Sequence, residues 1–263
     1  MNAADVLARK YGDLFDFTNI AINEGPTFLA GRNANSVARK VTLFHLVRAG
    51  YFLKRHIRCA PTVSQQRQMV ILRSLLNLYI NLKWLTSAEA DVTPRFQRFA
   101  DFEVVFKKLA MQTIIDHGDI WDQIRDENLT IHDQDFESIQ KKYGLTKKQG
   151  FLNWSGKSIF MMASEKGVDL EKEYRIIYGR LSSIEHTGPA SVRHYLDDSE
   201  KGITTIKAGP RDENIDMVLI TALEYYFHVK AITHTIFDVE WADLEKEREV
   251  FLKIRNKYWS EET

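Results

Sequence analysis

The residues best suited to chemistry lie in one run, from Tyr174 through Tyr178, Gly179, Arg180, Ser182, Glu185 and His186 to Pro189. On a helix, Tyr178, Ser182 and His186 follow at four-residue steps and form a polar stripe along one face. Arg175, Tyr178 and Ser182 run at steps of three and four. Thr187-Gly188-Pro189 is a stop signal, so the helix closes near His186, and Arg180 and His186 project from its last two turns. Imidazole is the side chain best suited to proton transfer near neutral pH, and guanidinium to gripping a phosphate. Gly179 costs about 1 kcal/mol relative to alanine inside a helix, which points to a close backbone approach at that position. A second reading of the same groups stays open. Arg180, Ser182, Glu185 and His186 would then bond one another and fix helix packing, since a buried polar group left unpaired costs about 1–3 kcal/mol.

Other chemistries find less support in the sequence. No Gly-rich phosphate loop or dinucleotide fingerprint occurs, and no His-Glu-x-x-His or Glu-x-x-His pattern. Glu224 and His228 stand four apart on a helix and could share a metal; a hydrogen bond is the simpler use of such a pair. A metal-dependent hydrolase built from Glu224, His228 and His186 is the remotest reading, and no metal or cofactor is called for. His117, His132 and His194 lack partners at ligand spacing. Cys59, at a helix end, reads as a buried inert thiol.

The elements that must position these groups are helical. From Asn35 to Cys59, Val37, Val41, Phe44, Val47 and Tyr51 follow a three-and-four spacing that predicts a buried face, with Arg48 and Arg55 on another. Ala60-Pro61 ends that helix. A second helix spans about Val63–Thr86, with Leu72, Leu75, Leu76, Tyr79, Leu82 and Leu85 on its core face. Thr93-Pro94 reads as an N-cap with proline in the first turn. The helix it opens buries Phe96, Phe99, Phe102, Phe106 and Leu109 and ends near Ile115. Further helices are expected at Asp133–Tyr143, Ser158–Lys166 and Asp169–Thr187, then along the apolar positions from Ile215 to Ile236 and the charged tail from Asp238 to Trp259. Ile203 to Ile206, bounded by Gly202 and Gly209, predicts a small β-hairpin near 202–209. The expected fold is all-α: one helical bundle of about seven to nine helices over 1–263, with the C-terminal helices of 212–263 packed on the rest.

Composition narrows the function classes. The 263 residues carry 36 Lys plus Arg against 36 Asp plus Glu, and 44% are hydrophobic, enough for a sizeable core. Zero net charge excludes a protein that coats nucleic acid by charge alone. The charges are nevertheless polarised, since residues 1–85 carry an excess of eight positive charges and residues 212–263 an excess of six negative ones. Basic residues of the first long helix (Arg48, Arg55, Arg58) and Arg175 are therefore candidates to face an anion, although pairing with the acidic tail would equally account for them. One cysteine excludes a disulfide framework and fits a reducing cytosol. The start of the chain lacks a signal peptide's apolar core, and Met69–Leu85 is too polar to cross a bilayer. A cytoplasmic protein with no membrane association is expected.

The run Leu72–Leu82, then Arg98-Phe99-Ala100-Asp101-Phe102, Trp154, and Tyr178-Gly179-Arg180-Leu181-Ser182-Ser183-Ile184-Glu185-His186 together resemble a bacterial helical family of unknown function, DUF5677, over roughly 65–200. Arg180 and His186 also fall within the Arg-x4–6-His spacing of the HEPN superfamily, whose members are helical, usually dimeric proteins of prokaryotic defence and toxin–antitoxin systems. That resemblance implies metal-free RNA cleavage in a homodimer, with Arg180 on the scissile phosphate and His186 moving the ribose 2′-hydroxyl proton. Ser182 and Tyr178 would orient the imidazole, and Arg48, Arg55, Arg58 and Arg175 would hold RNA. The competing expectation is a non-catalytic module that meets a protein partner or antitoxin, with Trp241, Tyr258 and Trp259 either at that interface or in the domain's own core.

Overall fold

In the computed structural model, the described residues are 3–24, 27–29, 31–59, 65–87, 91–116, 133–145, 154–185, 196–198, 204–206 and 215–259. They form nine α-helices: α1 (Ala3–Glu24), α2 (Val37–Cys59), α3 (Gln65–Thr86), α4 (Thr93–Asp116), α5 (Asp133–Tyr143), α6 (Ile159–Ala163), α7 (Glu171–Glu185), α8 (Ile215–Phe237) and α9 (Ala242–Trp259). The central element is α3. Its leucines at 72, 75, 76, 82 and 85 are all buried, as their spacing predicts, and α2 and α8 pack along it. Helix α8 lies against both α2 and α3, while α4 covers α2 and α7 covers α3. No described helix is long and apolar enough to cross a membrane.

Helix α2 departs from expectation. Phe44, Val47 and Tyr51 are about half exposed, at 50%, 55% and 53%, while Val41, Leu46, Ala49 and Leu53 face the core. With the buried His45 included, both sets follow three-and-four spacing, so periodicity alone does not choose between them. The buried set includes Ala49, and a methyl added at the neighbouring Gly50 would just touch the Tyr226 ring of α8, at 3.7 Å. In α4, likewise, Phe96, Phe102 and Val105 are buried while Phe106 is half exposed, not buried as predicted.

Helix starts are set locally. Helix α4 begins at Thr93 rather than Pro94, because the Val92 carbonyl accepts from Arg95 and Phe96 and the Asp91 carboxylate takes the Thr93 N–H at 2.9 Å. Ser158 caps α6 by accepting from Met161, yet the helix stops at Ala163, short of Lys166. Gly167 then turns the chain with φ +89°, against the backbone of Ser87. Among the described residues, the expected hairpin near 202–209 is not seen in that form. Of that stretch Thr204–Ile206 is a strand, and it pairs antiparallel with Leu196–Asp198 upstream, Asp197 opposite Thr205.

Two polar knots join the helices. Glu165, after α6, accepts from Trp84 Nε1 at 2.9 Å, from Arg95 at 2.8 Å and from Lys157. Burial pushes its carboxyl upward, but these three donors together hold it below the usual value. Arg95 also reaches the Trp84 carbonyl and lies over the Trp84 ring at 4.0 Å. Glu165→Ala is expected to cost about 2 kcal/mol, measured by urea unfolding, because the three donors lose their shared acceptor. The second knot ties α1 to α9. Tyr11, at a kink in α1, meets the Tyr258 ring at 5.6 Å, and the Tyr258 hydroxyl donates to Asp13, which also pairs with Lys257 at 2.7 Å. Tyr258 thus belongs to the core. Trp241 remains 47% exposed, and the Trp259 side chain is outside the described residues.

Candidate functional site

Helix α7 carries the run singled out by the sequence, and it ends at Glu185. The backbone of Arg180 and Ser182 is described but not their side chains, and His186 lies outside the described residues, as do the hairpin's flanking glycines. Tyr178 is fully placed. Its hydroxyl donates to Asn77 Oδ1 on α3, its ring stacks on Tyr174 at 4.0 Å, and the Arg73 guanidinium lies over it at 4.4 Å. Arg175 points the other way, pairing with Glu171 at 2.7 Å and covering Phe160 at 4.7 Å. Among the described residues, a methyl added at Gly179 would meet nothing within 4 Å.

The other family-like residues are also engaged between helices. Arg98 donates from Nε to the Trp154 carbonyl at 2.7 Å, and Trp154 packs edge-on to Phe99 and Trp84. Asp101 accepts from Lys142, Tyr143 and Gln97, each at 2.7 Å. Burial raises its carboxyl, and the three donors outweigh that and keep it low.

The outward face of α2 brings together the predicted Arg48, Arg55 and Arg58. Lys40 and Lys54, not named as candidates from the sequence, are exposed along it too, and all five interleave with Phe44, Val47 and Tyr51. Arg48 lies over Phe52 at 4.9 Å and over Tyr51 at 5.9 Å. Helix α2 contains no acidic residue, and none of these five cations meets a carboxylate among the described residues. Phe44 and Tyr51 were legible as aromatics but not as surface.

A second feature was not visible in the sequence. Between α3, α7 and α8 runs a cleft of about 510 Å³. Leu72, Ile177, Met217 and Val218 line one part, and Tyr79, Lys83, Glu173, Tyr225 and His228 another. The Tyr79 ring stacks on His228 at 4.9 Å and on Tyr225 at 5.8 Å. Burial, then the charge of Glu173, pushes the Tyr79 phenol up to about 12, and the Tyr225 phenol rises for the same reasons. Loss of water is the largest influence on His228 and lowers it, although the residue as a whole is exposed. Glu224 binds Arg255 at 2.8 Å, and no group of three or more metal-ligating side chains occurs among the described residues.

The fold and these two surfaces define a helical protein with a basic-aromatic helix face and an interhelical cleft. The chain belongs to DUF5677, a family of unknown function, whose sequence profile matches residues 65–203. No curated protein and no solved structure is detectably similar to it.

Proposed function

We propose that the chain is a metal-independent, HEPN-like endoribonuclease that acts as a homodimer in a prokaryotic defence or toxin–antitoxin setting. The observation that carries this reading is the outer face of α2, where five exposed cations alternate with exposed aromatics and no carboxylate intervenes. Such a face suits single-stranded RNA: the cations track phosphates while Tyr51 and Phe44 offer rings on which bases stack. In this reading Arg180 holds the scissile phosphate, and His186 takes the ribose 2′-hydroxyl proton as that oxygen attacks phosphorus. The 5′-oxygen leaves and takes a proton from water, giving 2′,3′-cyclic phosphate and 5′-hydroxyl ends.

The test uses purified protein and a mixed RNA pool in EDTA, beside Arg180→Ala, His186→Ala and the triple variant Arg48→Glu, Arg55→Glu, Arg58→Glu. Cleavage that disappears in both single variants, with RNA binding weakened at least tenfold in the triple variant, is the expected result. Absent cleavage, or cleavage indifferent to Arg180 and His186, sinks the nuclease reading.

One observation favours the alternative, a non-catalytic RNA- or protein-binding module. Tyr178 is held by Asn77, Tyr174 and Arg73 in the packing of α7 on α3, which suits a structural role for that run. RNA binding through α2 without cleavage is its signature.

A further inference from the structure

We propose that the cleft between α3, α7 and α8 binds a small organic amine, its protonated nitrogen held by Glu173 and the hydroxyls of Tyr79 and Tyr225. This inference does not depend on RNA binding or cleavage. The two tyrosines are the starting point. They are 5% and 6% exposed, yet both line the cleft, and their hydroxyls have no hydrogen-bond partner among the described residues. Phenols used only as core filler normally find a partner, because leaving a hydroxyl dry and unpaired is costly. Here both oxygens are available to something that enters the cleft.

Glu173 supplies the charge. Its carboxylate makes no ion pair or hydrogen bond among the described residues, and it borders the same cleft as both phenols. Of the other carboxylates there, Glu224 is already matched by Arg255, while Asp169 adds to the negative side. Lys83 is the one cation lining the described cleft, and it lies over the Tyr79 ring at 5.8 Å. The balance is negative, and the aromatic faces of Tyr79 and Tyr225 add attraction for a cation. An anionic ligand would meet Glu173 and Asp169 with only Lys83 to offset them.

The rest of the cleft fixes the ligand's body. Leu72, Ile177, Met217 and Val218 provide an apolar wall beside the polar end. The volume of about 510 Å³ lies within the usual range of about 300–1,000 Å³ for small-molecule sites. An alkyl or arylalkyl amine matches this division: ammonium at Glu173, hydrocarbon along the apolar wall.

The experiment titrates the purified chain with 2-phenylethylamine and hexylamine, beside 3-phenylpropionate and 2-phenylethanol, by calorimetry and by NMR shifts of labelled tyrosine. At pH 7 at least one amine should bind and perturb the Tyr79 and Tyr225 signals, while the acid and the alcohol bind at least tenfold more weakly. Glu173→Gln and, separately, Tyr225→Phe should each weaken the amine at least fivefold with an unchanged circular-dichroism spectrum. If neither amine binds, if 3-phenylpropionate binds as well as an amine, or if both variants bind the amine like the parent, the proposal is overturned. Binding in the His186→Ala protein should match the parent, which separates this site from the proposed RNA chemistry.

Discussion

Glu247→Ala is expected to lower the unfolding free energy by about 3–5 kcal/mol, read as a fall in the urea midpoint at pH 7. Glu247 on α9 grips Lys230 on α8 through both carboxylate oxygens, at 2.7 and 2.5 Å, and Lys230 is only 3% exposed. The ammonium has given up nearly all its hydration, and this carboxylate compensates for it directly. Removing the acid leaves the charge inside without that compensation. Removing both charges is a different matter, because a buried pair replaced by apolar groups is often neutral or stabilising. The double variant Lys230→Met, Glu247→Leu should therefore recover most of the lost stability. If Glu247→Ala alone changes the midpoint by an amount worth less than about 1 kcal/mol, the pair is not the anchor of α9 on α8 described here.

The second large effect is acid lability centred on α2. His56 is completely enclosed, neither ring nitrogen has a hydrogen-bond partner among the described residues, and dehydration alone pushes it down to about 3. His45 falls to about 4 because dehydration outweighs its bond to the Val41 carbonyl at 2.8 Å. Both folded values lie below the unfolded value near 6.5, so the unfolded chain binds more protons as the solution is acidified. Stability is therefore complete above about pH 6.5 and declines as pH falls toward 4 for His45 and 3 for His56. At pH 5 each imidazole should account for about 2 kcal/mol of the loss. The measurement is a urea midpoint at pH 7.5 and at pH 5.0, for the parent and for His56→Leu. Leucine gives up no hydrogen bond at this position, so the variant should match or exceed the parent at pH 7.5 and lose clearly less on acidification. An equal loss in both proteins would assign the acid lability elsewhere.

These histidines also mark where sequence reading succeeds and where it stops. Helix α3 is legible because one stripe of leucines dominates and nothing competes with it. Helix α2 carries two stripes, one large and aromatic, the other composed of Val41, His45, Leu46, Ala49, Leu53 and His56. A hydrophobicity argument selects the bulky stripe. Packing selects the other, because small residues permit a shorter interhelical distance and α8 covers whichever face it can approach. In the sequence the basic residues of α2 are candidates either for an anion or for pairing with the acidic tail, and their alternation with surface aromatics is visible only once the buried face is known. The cleft was hidden for a different reason. Tyr79 and Tyr225 sit at core spacing and resemble any buried aromatic, and Glu173 and Lys83 resemble any surface charge. Only the meeting of three helices turns them into neighbours. Arg180 and His186 stand at the opposite extreme, conspicuous by spacing and dependent on experiment for their role.

The clasp between α1 and α9 bears on how this chain is made. Residues 11 and 13 meet residues 257 and 258, so the contact joins segments some 245 positions apart. A ribosome adding about 5–20 residues per second separates the synthesis of the two halves by tens of seconds. Throughout that interval Tyr11 and the kinked turn around it stand without the ring and the lysine that later cover them. A nascent chain arrested before α9 would display that patch, so the N-terminal helix completes its packing only at the last stage of synthesis.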